Sequence, residues 1–165
     1  FITELSLGGD TITRDLATGM RTSVKDAQDL KERFGAAGPA LVSHNEEIRY
    51  PSLDGRTERL THRKQICEII QPRVDEMFEL VRAEVERSGL RELVRGAVLT
   101  GGGSFLAGIA TLASEELDME ARTGAAQGVG GLAEVVTNPS FATGIGLLRL
   151  GGGAGWGANA RLPHR

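Results

Sequence analysis

Ala97-Val98-Leu99-Thr100-Gly101-Gly102-Gly103-Ser104-Phe105-Leu106 joins a short apolar run to three consecutive glycines and then to a new apolar pattern. The new pattern starts at Phe105 and Leu106 and continues through Ile109, Leu112 and Leu117 at helical spacing. The stretch therefore predicts a buried strand, a tight turn and a helix. Glycines at such a turn let backbone approach a flat or charged ligand, and the start of the helix offers unpaired N–H groups. The same glycines suit a strand-to-helix turn that holds no ligand, and both readings stand at this level. Two standard nucleotide motifs are excluded. A dinucleotide fingerprint needs a third glycine where Leu106 stands, and a P-loop needs a Gly-Lys-Ser/Thr triplet that the chain does not contain.

Composition narrows the class. The chain has 165 residues, enough for one domain with a substantial core, and its 40% hydrophobic and 25% charged content is that of a globular protein. A net charge of −3 supplies no general attraction to nucleic acid, which is not expected as a partner. Cys67 is the only cysteine, which excludes an internal disulfide and fits a reducing compartment. It lies inside a helical pattern and reads as a small core residue rather than a nucleophile. No His/Cys cluster has metal-ligand spacing, no signal peptide is visible in this stretch, and no run of about 18 apolar residues occurs in it. The chain begins at Phe1 rather than Met, so it is expected to be a fragment.

Downstream of the glycine turn, Met119 to Arg122 reads as a further strand and Gly124 to Gly131 as a glycine-rich loop. Asn138-Pro139 is a helix start, cap then first-turn proline. Phe141, Ala142, Ile145, Leu147 and Leu148 predict that this helix is buried, with Gly144 and Gly146 permitting close packing. Residues 151–165 are glycine-rich and read as a flexible tail, in which Trp156 has no evident partner.

Upstream, Ile66, Ile69, Ile70, Val74, Met77, Phe78, Val81 and Val85 predict a long helix capped at Thr61 and ended by Ser88-Gly89. It would be roughly 40 Å long, and Pro72 is expected to kink or split it. Before it, Glu46 to Leu53 and Arg56 to Leu60 predict two strands joined at Asp54-Gly55, with Pro51 marking an edge strand. Arg49, Arg56, Arg59, Arg63 and Lys64 gather positive charge around this hairpin, either as a solvated surface or as a dock for an acidic peptide. Residues 36–45 read as a loop. Ser23 with Asp26 signals the cap of a helix whose stripe is Val24, Ala27, Leu30 and Phe34, and Gly35 ends it. Gln28 and Lys31 share another face of that helix, so they either converge on one ligand or form a solvated surface. Asp10 or Thr11 is expected to cap a first helix carrying Ile12, Leu16 and Met20, and Phe1 to Leu7 reads as a strand.

Five blocks carry a resemblance when taken together. They are Gly8-Gly9-Asp10-x-Ile12-Thr13-x-Asp15-Leu16-Ala17, Arg21-Thr22, Ile69-Ile70-Gln71-Pro72-Arg73-Val74-x-Glu76, Leu99-Thr100-Gly101-Gly102-Gly103-Ser104 and Asn138-Pro139-x-Phe141-Ala142-Thr143-x-Ile145-Gly146-Leu147-Leu148. In this order and spacing the chain, over about residues 1–150, resembles the bacterial actin-like cell-division family FtsA. The glycine turn alone is shared with actins, the rod-shape MreB type, the pilus-assembly PilM type and DnaK-type chaperones. Another actin-like ATPase of PilM or MreB type, or an interaction module that binds no nucleotide, are the alternatives; the Gly8 to Ala17 block argues against PilM.

The resemblance implies an α/β fold of mixed α+β character, the second half of an actin-like, ribonuclease H-like ATPase: a mixed sheet flanked by helices, with an inserted smaller subdomain. Residues 1–10 and 60–150 would form the large lobe, residues 11–59 the insertion and residues 151–165 the tail. It implies ATP in the cleft, with Gly101, Gly102, Gly103 and Ser104 packing against base and ribose. Gln28 and Lys31 match a Glu-x-x-Lys pair directed at the ribose, and Gln keeps hydrogen-bonding capacity while losing the charge. The phosphate motifs and the acidic residue linked to magnesium would lie upstream, so the chain alone is not expected to hydrolyse ATP and assigns no catalytic residue. The resemblance also implies docking of the acidic C-terminal peptide of the tubulin-like protein FtsZ on Arg56, Arg59, Arg63, Lys64 and Arg73. It implies self-association into filaments, a place at the cytoplasmic face of the inner membrane at the division site, and membrane attachment through a C-terminal helix outside this chain.

Overall fold

The computed structural model describes residues 1–43, 45–126 and 137–151. The glycine-rich loop beyond Ala126 and the tail from residue 152, with Trp156, lie outside the described residues.

The first helix, α1 (Gly9–Met20), is capped two residues before Asp10, the earlier of the two expected caps. Gly8 occupies the cap position, and the Thr11 hydroxyl accepts from its N–H at 3.4 Å. Ile12, Leu16 and Met20 are buried as the periodicity predicts. The helix ends at Arg21, whose left-handed φ of 53° is held from both sides. Its own N–H donates to Thr18 O, and its carbonyl accepts from Leu53 N–H at 3.0 Å. Helix α2 (Val24–Phe34) begins where Ser23 predicts it: the Ser23 Oγ accepts from Asp26 N–H at 3.1 Å. Ala27 and Leu30 are buried, whereas Val24 is exposed. Val24 occupies the first helical position, and α2 packs into the core only from Ala27 onward.

Strands β1 (Glu47–Pro51) and β2 (Glu58–His62) form an antiparallel hairpin, from Glu47 opposite His62 to Pro51 opposite Glu58. Gly55 turns the chain at φ +66°, and Asp54 Oδ1 accepts from Arg56 N–H at 3.0 Å. Ile48 and Tyr50 point into the core, and Tyr50 Oη donates to Met20 O at 3.2 Å. The second strand runs two residues further than its sequence pattern suggests. Thr61 is therefore a strand residue, donating to Gln65 Oε1 at 2.7 Å, and not the cap of the long helix. His62 takes the cap position and makes no side-chain capping bond.

Helix α3 (Arg63–Arg87) has 25 residues and spans roughly 37 Å. It is one helix: Pro72 does not split it. Proline removes a single N–H from the ladder, and Pro72 lies on the exposed side while Ile70 and Val74 on the opposite side are fully buried. The core runs along this helix. Ile66, Ile70, Val74 and Phe78 meet α1, α2 and the hairpin on one stretch, and Ile109, Ala113 and Leu117 on another. Cys67 is buried among them, and burial pushes its thiol up from the ordinary range.

Strands β3 (Ala97–Leu99) and β4 (Ala121–Thr123) pair in parallel, Ala97 opposite Ala121. Between them, α4 (Ile109–Leu117) starts four residues later than the apolar pattern suggests. Gly102–Phe105 is a single 3-10 turn that leaves Phe105 exposed. Ala107 then pairs with Ala36, its carbonyl accepting from Ala37 N–H at 2.8 Å, and this tertiary bond delays the helix until Gly108 reverses the chain at φ +78°.

Asn138 caps the next turn as predicted, Oδ1 accepting from Ser140 N–H at 2.9 Å, and α5 (Ala142–Gly151) follows. The expected burial of this helix is corrected. Ile145 is buried, but Phe141, Leu147, Leu148 and Leu150 are exposed, because among the described residues only one line of α5 meets a neighbour. Likewise Phe1 to Leu7 is no strand, since no described strand runs beside it to share a ladder. Instead Phe1 and Leu5 lie over Val81, Val85 and Leu90 near the end of α3. No helix among the described residues is long and apolar enough to cross a membrane.

Candidate functional site

The glycine turn is built by backbone bonds. Gly101 has φ +85°, a conformation that suits glycine alone, and its N–H donates to Pro139 O at 2.9 Å. Ser104 is buried; its Oγ donates to Gly101 O at 2.8 Å, closing the turn from inside. Gly102 and Gly103 face outward. A Cβ at Gly103 would meet nothing within 4 Å, and one at Gly102 only the Ser140 Oγ at 3.6 Å.

Facing these two glycines is one end of α2. Gln28, Lys31 and Glu32 share with Gly102 and Gly103 a hollow of about 530 Å³ whose remaining wall is the backbone from Leu5 to Thr11 and Arg14. A second hollow of about 310 Å³ adjoins it, lined by Ile12, Lys31, Glu32, Gly35, Gly102, Gly103, Phe105, Leu106 and Ser140. Their combined size is that of small-molecule sites. The first is polar, lined by Gln28, Lys31 and Arg14 together with the acidic residues Asp10 and Glu32. The second is walled by apolar side chains over a glycine floor. Of the four expected glycine-turn residues, the structure brings Gly102 and Gly103 to the hollows together with Gln28 and Lys31, while Gly101 and Ser104 support them from beneath.

Lys31 is half-buried, and desolvation holds its ammonium below the usual lysine range against the opposing pull of Asp10 and Glu32. Its Nζ donates to Gly9 O at 2.9 Å and to Thr13 Oγ1 at 2.7 Å, which ties α2 to the start of α1 and leaves a third N–H for a ligand. Thr13 is 2% exposed and also stands 2.6 Å from Gln28 Oε1, to which it donates. Thr13 stands in the first resemblance block with no role attached to it, and Glu32 was indicated by no motif. Glu32 could have been found from its place four residues after Gln28 on the same helical face; Thr13 carries no such signal, because the contact joins two helices.

The basic cluster disperses. Arg63 donates from Nε to Phe34 O at 2.9 Å and from Nη1 to Glu46 at 3.0 Å. Arg73 clamps Asp15 of α1 at 2.6 and 3.2 Å and also bonds Glu76. Lys64 pairs with Glu68 at 3.7 Å. Arg56 and Arg59, at the hairpin tip and on β2, are exposed and pair with no carboxylate among the described residues. Exposed Leu53 and Leu60 stand near them in the hairpin.

The fold as a whole is similar to that of solved structures. MreB5 of Spiroplasma citri bound to ADP is similar with a TM-score of 0.62 and 14% identity, over 89% of this chain and 45% of that one. The same protein bound to AMPPNP is similar with a TM-score of 0.53 and 16% identity, over 90% and 47%. At such identity the likeness speaks for the fold, which is that of an actin-like protein. The particular family follows from sequence. The chain matches Cell division protein FtsA over residues 1–146 and belongs to that family. It is 40% identical over 148 residues to the FtsA of Pseudomonas aeruginosa, covering 89% of this chain and 36% of that protein. To the FtsA of Neisseria meningitidis it is 39% identical over 143 residues, covering 86% and 34%. To that of Escherichia coli K12 it is 32% identical over 151 residues, covering 87% and 36%. The chain spans about a third of the length of these relatives.

Proposed function

We propose that this chain carries the nucleoside side of an ATP site in an actin-like cell-division protein. The observation that carries the reading is the meeting of Gln28, Lys31 and Glu32 with Gly102 and Gly103 across two adjoining hollows, one polar and one apolar. The flat apolar slot between Ile12, Leu106 and the glycines suits a purine, and the backbone of Gly8 to Thr11 with Arg14 leads toward the phosphates. In this reading residues 11–59 act as the smaller inserted subdomain, residues 1–10 and 60–150 as the large lobe, and the nucleotide bridges them. The MreB5 structures, with ADP and AMPPNP, support it. Among the described residues no three His, Cys, Asp or Glu side chains are grouped to hold a metal.

The test is Gly102→Val in the full-length protein. The new Cβ meets only Ser140 Oγ at 3.6 Å and the site has no positive φ to strain, so the fold is retained while branched bulk intrudes on the hollows. ATP affinity measured by calorimetry is expected to fall by at least about tenfold with an unchanged melting temperature. Equal affinity in the two proteins would make the turn purely structural and leave an interaction module.

The same reading extends to the partner. The full-length protein would tether FtsZ to the inner membrane at the division site and assemble into filaments, with the acidic FtsZ tail docking on the hairpin face. Exposed Arg56 and Arg59 near exposed Leu53 and Leu60 support this, because such peptides are held by charge around an apolar anchor. Arg63, Lys64 and Arg73 are paired with Glu46, Glu68 and Asp15.

A further inference from the structure

The two edges of the hairpin are unlike. Backbone bonds at its ends, Ser52 N–H to Thr57 O and Arg63 N–H to Glu46 O, both at 2.8 Å, fix which pairs exchange hydrogen bonds. Such pairs alternate along an antiparallel ladder, so those inside the hairpin are Ile48 with Thr61 and Tyr50 with Arg59. Glu47, Arg49 and Pro51 therefore turn their backbone groups to the outer edge of β1, and Glu58, Leu60 and His62 turn theirs to the outer edge of β2.

The β1 edge is closed near the turn. Pro51 has no N–H, its carbonyl accepts from Thr22 Oγ1 at 2.7 Å, and the next outward N–H, that of Leu53, donates to Arg21 O at 3.0 Å. The β2 edge has no such cover. Among the described residues no third strand lies beside it, and neither proline nor bulge interrupts its pairing. Glu58, Leu60 and His62 are all exposed. An edge of this kind is a template for another extended chain: main-chain bonds hold it, and alternate side chains select it.

The side chains of β2 say what that chain carries. Leu60 stands on one face of the hairpin and Arg59 on the other, because successive residues of a strand alternate. Arg56 and Arg59 are exposed and pair with no carboxylate among the described residues. A second copy of the hairpin would add its own arginines to the same edge, which like charge disfavours. An extended peptide with an apolar residue among carboxylates meets Leu60 on one face and the two arginines beside it.

Resting on the docking reading above, we propose that the free edge of β2 takes an acidic peptide as an added strand, paired to the backbone of Glu58 and Leu60.

The experiment measures binding of labelled acidic FtsZ-tail peptide to the full-length protein by fluorescence anisotropy. Two further forms of the peptide are N-methylated on alternate sets of backbone nitrogens. An added strand turns only every second amide toward β2. One methylated form is therefore expected to bind about tenfold more weakly than the parent peptide, and the other within about twofold of it. Leu60→Pro deletes one outward N–H and no bond to β1, so it is expected to lose about tenfold, whereas Leu60→Ala keeps that N–H and loses less. The methylated pair needs no change in the protein, so it decides the matter even where Leu60→Pro lowers the melting temperature. Equal binding of the two methylated forms overturns strand addition and leaves a peptide docked by side chains alone. A loss in Leu60→Ala as large as in folded Leu60→Pro does the same. A protein that dimerises without peptide and becomes monomeric as Leu60→Pro gives the edge to a second copy, which also overturns the proposal. Failure of the unmodified protein to bind the parent peptide overturns the docking reading itself, and strand addition with it.

Discussion

Asp75 shows how a single residue of α3 sets a pH dependence. Its Oδ1 is buried with no hydrogen-bond partner among the described residues. Burial pushes its carboxyl above the usual carboxylate range, and the nearby charges of Glu116 and Glu79 push the same way. The folded protein therefore holds this proton more tightly than the unfolded chain. The stability it contributes is complete below the ordinary carboxylate range and is lost as pH rises through the raised folded value. Asp75→Asn removes the charge without changing the shape. Its melting temperature is expected to exceed that of the parent by a few degrees at pH 7 and to match it near pH 4. Thermal melts at the two pH values measure this, and an equal shift at both would show that the charge is not the cause.

At the scale of elements, the decisive joint is the entry to α4. The 3-10 turn at the glycines, the bridge from Ala107 to Ala36 and the reversal at Gly108 together set where the helix begins. Gly108 is constrained twice. Its φ of +78° disfavours any side chain, and a Cβ there would stand 2.2 Å from Leu41 Cδ1. Gly108→Ala is expected to destabilise the fold by about 1–3 kcal/mol, read as a lower urea midpoint with an unchanged slope. Gly103→Ala is the control at the same turn, since a Cβ there meets open space. The long helix tells the complementary story: Pro72 costs one backbone bond, while the apolar contacts of Ile66, Ile70 and Val74 hold α3 together on the other side.

For the whole molecule, the hairpin face and the hollows are lined by different residues of one fold, so the proposed docking and the proposed nucleotide site can be tested separately. Arg59→Glu changes an exposed charge with no ion pair among the described residues, and it is expected to weaken binding of an acidic FtsZ-tail peptide about tenfold. Binding by the parent should also weaken as salt rises, because exposed charges are screened within about 8 Å at physiological ionic strength. Fluorescence anisotropy at low and high salt reads both effects, and identical binding by the variant would remove Arg59 from the dock. Arg63→Glu is a poorer probe, since it also breaks the bonds to Phe34 O and Glu46.

Most elements were legible because their signals act over a few residues. Ser23 and Asp26 cap α2, Asp54-Gly55 turns the hairpin, Ile12, Leu16 and Met20 stripe α1, and Asn138-Pro139 opens the turn before α5. The ordered blocks were enough to indicate the family. What each polar side chain does was decided only in three dimensions, because its partner comes from a distant part of the chain. For Arg73 the resemblance implies docking, and what packing adds is a bond to Asp15, 58 residues away. For Ser104 the resemblance implies a place in the nucleotide motif, and what packing adds is a hydroxyl that closes the turn on Gly101 O. Glu32 has no motif at all, and it reaches the hollows because Thr13 of a neighbouring helix fixes Gln28, which in turn holds the carboxylate. Local spacing sets helices and turns through bonds within about four residues, whereas a binding surface is the sum of contacts between elements that only packing brings together.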